Sequence, residues 1–177
     1  VATMVHKDLT EGGHVNRVQE PDSLRGYALC LTARTLRGPI HLVNVYIPPR
    51  SNVQIKDPHA ETARQQVLRE TGVWLQQLRA DGTPVILGGD LNAAWYRENR
   101  GAEARKTDED YKEWATRLGL SPADSLYGGR SQQAATYESR ATEGPHMGVR
   151  SRIDDWLVST GGCTAPLSTA EVVGPTV

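Results

Sequence analysis

A carboxylate and a carboxamide lie two residues apart at the end of an apolar run in the middle of the chain. The run, residues 84–89 with the sequence PVILGG, is followed by Asp90 and Asn92. Because side chains alternate along an extended backbone, Asp90 and Asn92 lie on the same side. The carboxylate can accept a proton or bind a hard cation, and the carboxamide can donate hydrogen bonds to an anionic oxygen. Phosphodiester hydrolysis needs both groups, although Asp and Asn after a strand also serve simply to cap turns.

Four further polar side chains lie within or at the end of predicted strands. Tyr46 ends an apolar run, where it is either an ordinary strand aromatic or a hydroxyl donor to a phosphate oxygen. Asp154 and Asp155 lie within another apolar run, where a carboxylate is unfavourable unless it is paired or used. The alternative is that one of them is exposed and the other pairs with Arg152. Thr136 is either a strand-forming threonine or a phosphate contact.

The elements that must position these side chains follow from the apolar pattern. We expect a polar loop from residue 7 through Pro21 and a hairpin turn at residues 36–38. Thr107 is a candidate N-cap, and Gly119 is expected to end the same helix. The predicted strands are 1–6, 26–34, 39–47, 84–90, 134–139, 151–159 and 168–173, and the predicted helices are 58–80 and 107–118.

Composition indicates one globular α/β domain over residues 1–177. The chain is 38% hydrophobic and 23% charged, with a formal net charge of −1. No apolar stretch approaches the roughly 18 residues that a membrane-spanning helix needs, so we expect no membrane partner. The two cysteines, Cys30 and Cys163, form no disulfide framework, which favours a reducing compartment.

Several common catalytic arrangements are missing from the sequence. A Gly-x-Ser-x-Gly nucleophile motif and a Walker loop are both absent. The five histidines have no metal-ligand spacing, and we expect none of them to be catalytic; they are His6, His14, His41, His59 and His146.

Four short motifs, taken in chain order, resemble the endonuclease/exonuclease/phosphatase superfamily. Their order and spacing are most similar to the endonuclease domain of non-LTR retrotransposon polyproteins, which carry a reverse transcriptase and whose relatives include apurinic/apyrimidinic endonucleases. Each motif is weak alone, but the combination is specific and extends along nearly the whole chain. The motifs are Asn44-Val45-Tyr46-Ile47-Pro48-Pro49, Gly89-Asp90-Leu91-Asn92, Ala135-Thr136-Tyr137 and Ser151-Arg152-Ile153-Asp154.

The resemblance implies a fold, a cofactor and a partner. The implied fold is a four-layer α/β sandwich, in which two mixed or antiparallel β-sheets pack together and are flanked by helices. The implied activity is phosphodiester hydrolysis assisted by Mg²⁺, with Mn²⁺ as an alternative ion. The implied partner is DNA, and the implied location is intracellular and, for a mobile element, nuclear.

The resemblance also assigns roles to the candidate residues. Asp90 would activate or orient the attacking water and is a candidate metal ligand, and Asn92 would hold the scissile phosphate and that water. Tyr46 would stabilise the developing charge. Asp154 would orient a catalytic histidine, and Thr136 would line the phosphate site. These roles suit an anionic transition state, which needs fixed hydrogen-bond donors.

Parts of the family pattern have no counterpart in this sequence. The pattern begins with an Asn-bearing strand and a Gln-Glu motif whose Glu is a principal metal ligand, and it ends with a Ser-Asp-His motif that supplies the catalytic His. We therefore expect the fold to be incomplete at both termini and the isolated chain to be inactive. Asp155 also stands where relatives carry an aromatic or apolar residue.

Basic residues surround two of the motifs. Arg97 and Arg152 are the candidate substrate-binding residues among them, and such clusters suit a polyanionic backbone. The alternative is an ordinary solvated surface. Two other functions stay open: action on a small phosphoester or a phospholipid with the same fold, and a catalytically inactive remnant. The clusters are Arg97, Arg100, Arg105 and Lys106, and Arg140, Arg150 and Arg152.

Overall fold

A mixed β-sheet with helices packed on one face forms the part of the chain that the computed structural model describes, which is residues 1–49, 62–96, 106–123, 137–138, 150–151 and 154–159. The helices in these ranges are α1 (Lys7–Glu11), α2 (Ala63–Leu78) and α3 (Lys106–Arg117), with a 3₁₀ turn at Asp22–Leu24. The strands are β1 (Val15–Val18), β2 (Ala28–Thr35), β3 (Gly38–Val45), β4 (Val85–Asp90), β5 (Leu120–Pro122), β6 (Tyr137–Glu138), β7 (Arg150–Ser151) and β8 (Asp154–Ser159).

Six of these strands form one sheet in the order β1-β2-β3-β4-β8-β5, and β6 pairs with β7 in a separate two-stranded sheet. The β3–β4 pair is parallel, and the other neighbours in the large sheet are antiparallel. Parallel strands need a long crossover connection, and α2 lies within it. The predicted α/β class is thereby confirmed.

The predicted hairpin is confirmed as β2 and β3, which pair from Ala28 with Val45 to Thr35 with Gly38. Its turn is closed by the Thr35 hydroxyl, which donates to the Gly38 carbonyl at 2.7 Å. Gly38 has a φ of +117°, a conformation that glycine adopts without strain. Alternation along the strands directs Cys30 and Val43 into the core.

The core of the described residues lies between the large sheet and helices α2 and α3. On the helical side, the core contains Val67, Trp74 and Leu75 from α2 and Tyr111 and Ala115 from α3. These residues form the apolar stripe of each helix, and Leu78, Trp114 and Leu118 pack against the core while only partly buried. On the sheet side the core contains Cys30, Val43, Val45, Val85, Leu87 and Leu157.

Both predicted helices are confirmed with altered starts. Thr62 caps α2 through a capping box with Gln65, so the helix begins after the predicted Pro58, and residues 58–61 lie outside the described ranges. Helix α3 begins at Lys106, which places Thr107 in the first turn as a buried side chain and not at the cap. The two helices touch where the Trp114 indole donates to the Leu68 carbonyl at 2.8 Å.

The N-terminal prediction was wrong in two respects. Residues 1–6, expected to form a strand, belong to no helix or strand, and their polar groups bond elsewhere: the Asn44 side chain donates to the Ala2 carbonyl at 2.9 Å. The predicted loop of residues 7–21 contains α1 and β1. β1 has only four residues and forms its backbone hydrogen bonds with β2.

The predicted strand 151–159 is two strands. Ser151 ends β7, which pairs with β6, whereas Asp154 begins β8, which pairs with β4 and β5. Strand β5, which was not predicted, has three residues and ends at Pro122. Of the predicted strand 134–139 the structure describes Tyr137–Glu138, and the predicted strand 168–173 lies outside the described residues. Within the described ranges, no helix has the length and apolarity to cross a membrane.

The buried cysteine yields a first prediction. Cys30 is fully buried, and this burial raises the pKa of its thiol to about 12. Because thiolate is the reactive form, Cys30 should not react with a disulfide reagent at pH 8 in a folded Cys163→Ser variant, and should react fully in guanidinium. Rapid stoichiometric reaction of the native variant would contradict this burial.

Candidate active site

The carboxyl end of β4 can adopt its conformation only with a glycine before Asp90. Gly89 has a φ of +134°, a region that side chains disfavour. A Cβ at Gly89 would lie 2.1 Å from the Val45 carbonyl oxygen and 2.8 Å from the Asn44 Oδ1. The missing side chain therefore lets β4 approach β3 closely. It places Asp90 at the end of the sheet where β3 and β4 finish and β8 begins, which we call the edge.

Three predicted site residues lie next to one another across this edge. Asn44 of β3 pairs with Gly88 of β4. The Ile47 amide donates to the Asp90 carbonyl at 2.8 Å, so this register continues beyond the paired residues. Tyr46, two residues after Asn44, therefore lies beside Asp90, two residues after Gly88. On the other side of β4, Asp90 pairs with Asp154 of β8.

The Asp90–Asn92 segment is a tight turn that its own side chains stabilise. The Asp90 Oδ1 accepts a hydrogen bond of 3.1 Å from the Asn92 amide, and the Asn92 Nδ2 donates to the Ile47 carbonyl at 3.0 Å. Asn92 has a φ of +47°, which asparagine tolerates better than most residues. Both side chains are half-buried. The turn-capping interpretation is therefore correct, and it leaves a second Nδ2 hydrogen for a ligand.

Tyr46 is half-buried and is held by a residue that the sequence did not single out. Its amide donates to the Tyr27 carbonyl at 2.7 Å. The two rings are parallel within 4°, with centroids 6.4 Å apart. Since Tyr27 precedes β2, the aromatic surface of the edge extends from β3 toward β2.

Two buried charged residues hold the loops behind the edge, and sequence reasoning missed both roles. Arg64 of α2 donates to the Pro48 and Leu91 carbonyls. Asp108 of α3 accepts a hydrogen bond of 2.9 Å from the Ala94 amide. The available signal was position, because Arg64 precedes Val67 by three residues and so lies on the buried stripe of its helix.

Of the other candidate site residues, the structure describes only the strand position or nothing. Asp154 is located by its position in β8, and Thr136, Arg97 and Arg152 lie outside the described residues. Asp155 pairs with Gly89, is buried, and accepts from the Trp156 amide at 2.8 Å through its Oδ1. As alternation predicts, the strand positions of Asp154 and Asp155 face opposite sides of the sheet.

The side chains at this edge carry oxygen atoms of the kind that a hard divalent cation binds. Among the residues that the structure describes, no three His, Cys, Asp or Glu side chains come together as a metal-binding group. Asp90 provides one carboxylate, with Asp154 at the paired position. Mg²⁺ is commonly bound through one or two carboxylates, keeping several waters and taking further oxygens from a phosphate substrate. These residues fit that mode of binding.

Comparison with known proteins agrees with the motif resemblance. The model of the Endonuclease/Exonuclease/phosphatase family matches residues 1–174. No curated protein sequence matches the chain.

Solved structures of similar fold include three enzymes. The endonuclease domain of TRAS1, a telomere-specific non-LTR retrotransposon, has 17% identity and a TM-score of 0.56, over 82% of this chain and 56% of that one. The AP endonuclease LMAP from Leishmania major has 18% identity and a TM-score of 0.57, over 83% and 53%. The 3′ phosphatase NExo from Neisseria, bound to a product DNA hairpin, has 17% identity and a TM-score of 0.53, over 82% and 58%. The chain spans little more than half the length of these structures, and at such identities the likeness is one of fold.

Proposed function

The chain belongs to the endonuclease/exonuclease/phosphatase family, and we propose that it hydrolyses phosphodiester bonds in DNA with a bound divalent metal ion. The observation that carries the proposal is the row of Tyr46, Asp90 and Asp154 at neighbouring positions of β3, β4 and β8. Asn92 follows Asp90 in a turn at the same edge. A carboxylate, a carboxamide and a phenol at one edge suit attack on an anionic phosphate.

Each group has a role in the proposed reaction. The Asp90 carboxylate accepts a hydrogen bond from the attacking water and aligns it in line with the leaving oxygen. The free Nδ2 hydrogen of Asn92 and the Tyr46 hydroxyl donate to non-bridging phosphate oxygens, where negative charge increases in the transition state. Thr136 is proposed to line the phosphate site. The role that the family resemblance gives Asp154 is to orient a catalytic histidine, which the family pattern places in the Ser-Asp-His motif and not among the five histidines of this sequence. Mg²⁺, or Mn²⁺ in its place, would be held by Asp90 and would supply positive charge against the phosphate.

DNA is the proposed substrate for two reasons. Arginine makes up 16 of the 20 basic residues, and its planar guanidinium suits bidentate contacts with phosphate. Arg97 and Arg152 are proposed to contact the backbone. The solved structures of similar fold include enzymes named for action on DNA, and we extend that substrate class to this chain.

We further propose that the chain is the endonuclease domain of a retrotransposon-type polyprotein. The order and spacing of the four motifs support this, as does the fold shared with the TRAS1 endonuclease domain. Such a domain would act on DNA in the nucleus and leave a nick for a reverse transcriptase in the same polyprotein.

Supercoiled plasmid provides the test of DNA cleavage. Because the 177 residues alone are expected to be inactive, the test uses a chain extended by the Gln-Glu and Ser-Asp-His segments of the family pattern. With Mg²⁺ present, the extended chain should convert supercoiled plasmid to the open circular form, and excess EDTA should stop the conversion because the charge of the metal is then lost. Added Mn²⁺ should restore it. If the folded extended chain leaves the plasmid intact with either ion, the proposal fails and the inactive-remnant interpretation is supported.

A phosphatase activity is the second candidate, favoured by the fold shared with an enzyme described as a 3′ phosphatase. The same donors would then act on a terminal phosphomonoester. An oligonucleotide carrying a 3′ phosphate and a small soluble phosphomonoester separate the cases. Phosphate release from either substrate, with the plasmid left intact, would favour this candidate over endonuclease activity.

A further inference from the structure

We infer that Arg64, a buried arginine of α2, is a positioning residue that fixes the two backbone segments carrying the candidate active site. The inference rests on the proposed function, because it assigns Arg64 a part in aligning Asp90 and Asn92 for that reaction. Arg64 itself is 5% exposed and lies behind the edge, so it does not reach a substrate.

One nitrogen of Arg64 joins the two segments. The Nη1 atom donates to the Pro48 carbonyl at 2.9 Å and to the Leu91 carbonyl at 3.1 Å. Pro48 lies two residues after Tyr46, and Leu91 lies between Asp90 and Asn92. The loop after β3 and the loop after β4 are therefore fixed relative to each other by a side chain from a third element.

Both the burial of Arg64 and its place at the start of a helix are unfavourable for an arginine. Burial of a guanidinium is costly unless hydrogen bonds compensate it. Arg64 also lies in the first turn of α2, between the capping-box residues Thr62 and Gln65, where the positive end of the helix dipole disfavours a cation. The bonds to the Pro48 and Leu91 carbonyls help to offset these costs, and the capped first turn gives the side chain a rigid base.

A buried carboxylate from α3 completes the arrangement with the opposite charge. Asp108 is 4% exposed, and its Oδ1 accepts from the Ala94 amide at 2.9 Å. The short segment from Leu91 to Ala94 is thus held at a carbonyl by a cation and at an amide by an anion. Both helices therefore contribute a buried charged side chain that holds this segment.

Steady-state kinetics of plasmid nicking test the role of Arg64. In the extended chain, Arg64→Met keeps an unbranched apolar side chain but removes the bonds to the Pro48 and Leu91 carbonyls, and misplacement of Asp90 by even 1 Å should lower kcat about 100-fold. The KM for DNA should stay within about threefold, because a group that contacts no substrate contributes no uniform binding. Arg64→Lys should recover part of kcat, since an ammonium can also donate to two carbonyls.

Arg79 provides a matched control on the same helix. It follows the last residue of α2, and its Nη1 donates to the Leu118 carbonyl, far along the helix from the Asp90 turn. Arg79→Met removes the same kind of bond and should leave kcat unchanged. A kcat for Arg64→Met no lower than that for Arg79→Met would overturn the inference, as would a loss confined to KM.

Hydrogen exchange separates failure of this inference from failure of the proposed function. Amides of residues 91–94 should exchange faster in Arg64→Met than in the unchanged chain, and this should not occur in Arg79→Met. The measurement needs no activity, so it applies even if the unchanged chain cleaves no DNA. Unaltered exchange at these amides in folded Arg64→Met overturns the inference; if Arg64→Met does not fold, Arg64→Lys replaces it, with a smaller increase expected.

Discussion

Replacement of Gly89 by alanine should lower the free energy of unfolding by about 3 kcal/mol or more. The new Cβ would lie 2.1 Å from the Val45 carbonyl oxygen, a backbone atom that cannot move without breaking the β3–β4 ladder. The φ of +134° adds strain that alanine cannot relieve. Urea denaturation followed by circular dichroism measures the change. Where some protein stays folded, Asp90 should be displaced and nicking lost.

Gly88→Ala is the matched control for this substitution. A Cβ at Gly88 would meet the Trp156 ring, with the closest atom at 2.4 Å. Trp156 is 52% exposed, so its ring can rotate away where the β3 backbone cannot. The loss of stability in Gly88→Ala should therefore be clearly smaller than in Gly89→Ala. Equal losses would mean that the close approach of β4 to β3 is not the cause.

Replacement of Asp90 by asparagine should lower the kcat for DNA nicking by about 10³-fold. Asparagine keeps the Oδ1 that accepts from the Asn92 amide, so the turn should persist. What it loses is the negative charge that would orient the water and bind the metal. The free energy of unfolding should change by less than about 1 kcal/mol, which separates a chemical role from a structural one.

Asp81 provides a control with the same local geometry at the opposite end of β4. Its Oδ1 accepts from the Thr83 amide at 2.9 Å, the same i to i+2 pattern that Asp90 shows with Asn92. This bond holds the pKa of Asp81 below its ordinary value. Asp81→Asn should leave kcat unchanged. If both substitutions lowered kcat equally, Asp90 would be no more than a turn residue.

The sheet and helices were predictable where burial produces a regular pattern. The alternating residues of β2 and β3 and the helical stripe of Val67, Trp74 and Leu75 encode the faces that the core buries. The strand–helix–strand order likewise favours the parallel pairing of β3 with β4. Together these predict that Tyr46 and Asp90 share an edge.

The strand predictions failed where a local sequence pattern does not reveal which strand a segment pairs with. Residues 151–159 contain no glycine or proline to mark a break, yet Ser151 and Asp154 belong to different sheets. The pairing of Asp154 with Asp90 depends on a contact between strands far apart in sequence, and only the family resemblance anticipated their association. The segment 1–6 carries apolar residues, but within the described part of the chain it pairs with no strand, and the Asn44 side chain donates to the Ala2 carbonyl.

The positioning residues were the hardest part of the site to predict. Arg64 bonds to carbonyls 16 and 27 residues away, and Asp108 bonds to an amide 14 residues away. A carbonyl or amide is present at every position, so a sequence gives no sign of which one a buried charge will reach. Arg64 was detectable only as a charge on an apolar stripe, and Asp108 had an adequate explanation as a favourable charge in the first turn of α3.

The central claim is that the shared edge of β3, β4 and β8 is a phosphodiesterase active site. The most direct test is the initial rate of Mg²⁺-dependent plasmid nicking by the extended chain with Asp90 and by its Asp90→Asn variant, both verified as folded. We predict measurable nicking by the extended chain with Asp90 and a rate about 10³-fold lower for Asp90→Asn. Equal rates of nicking by the two would contradict this assignment.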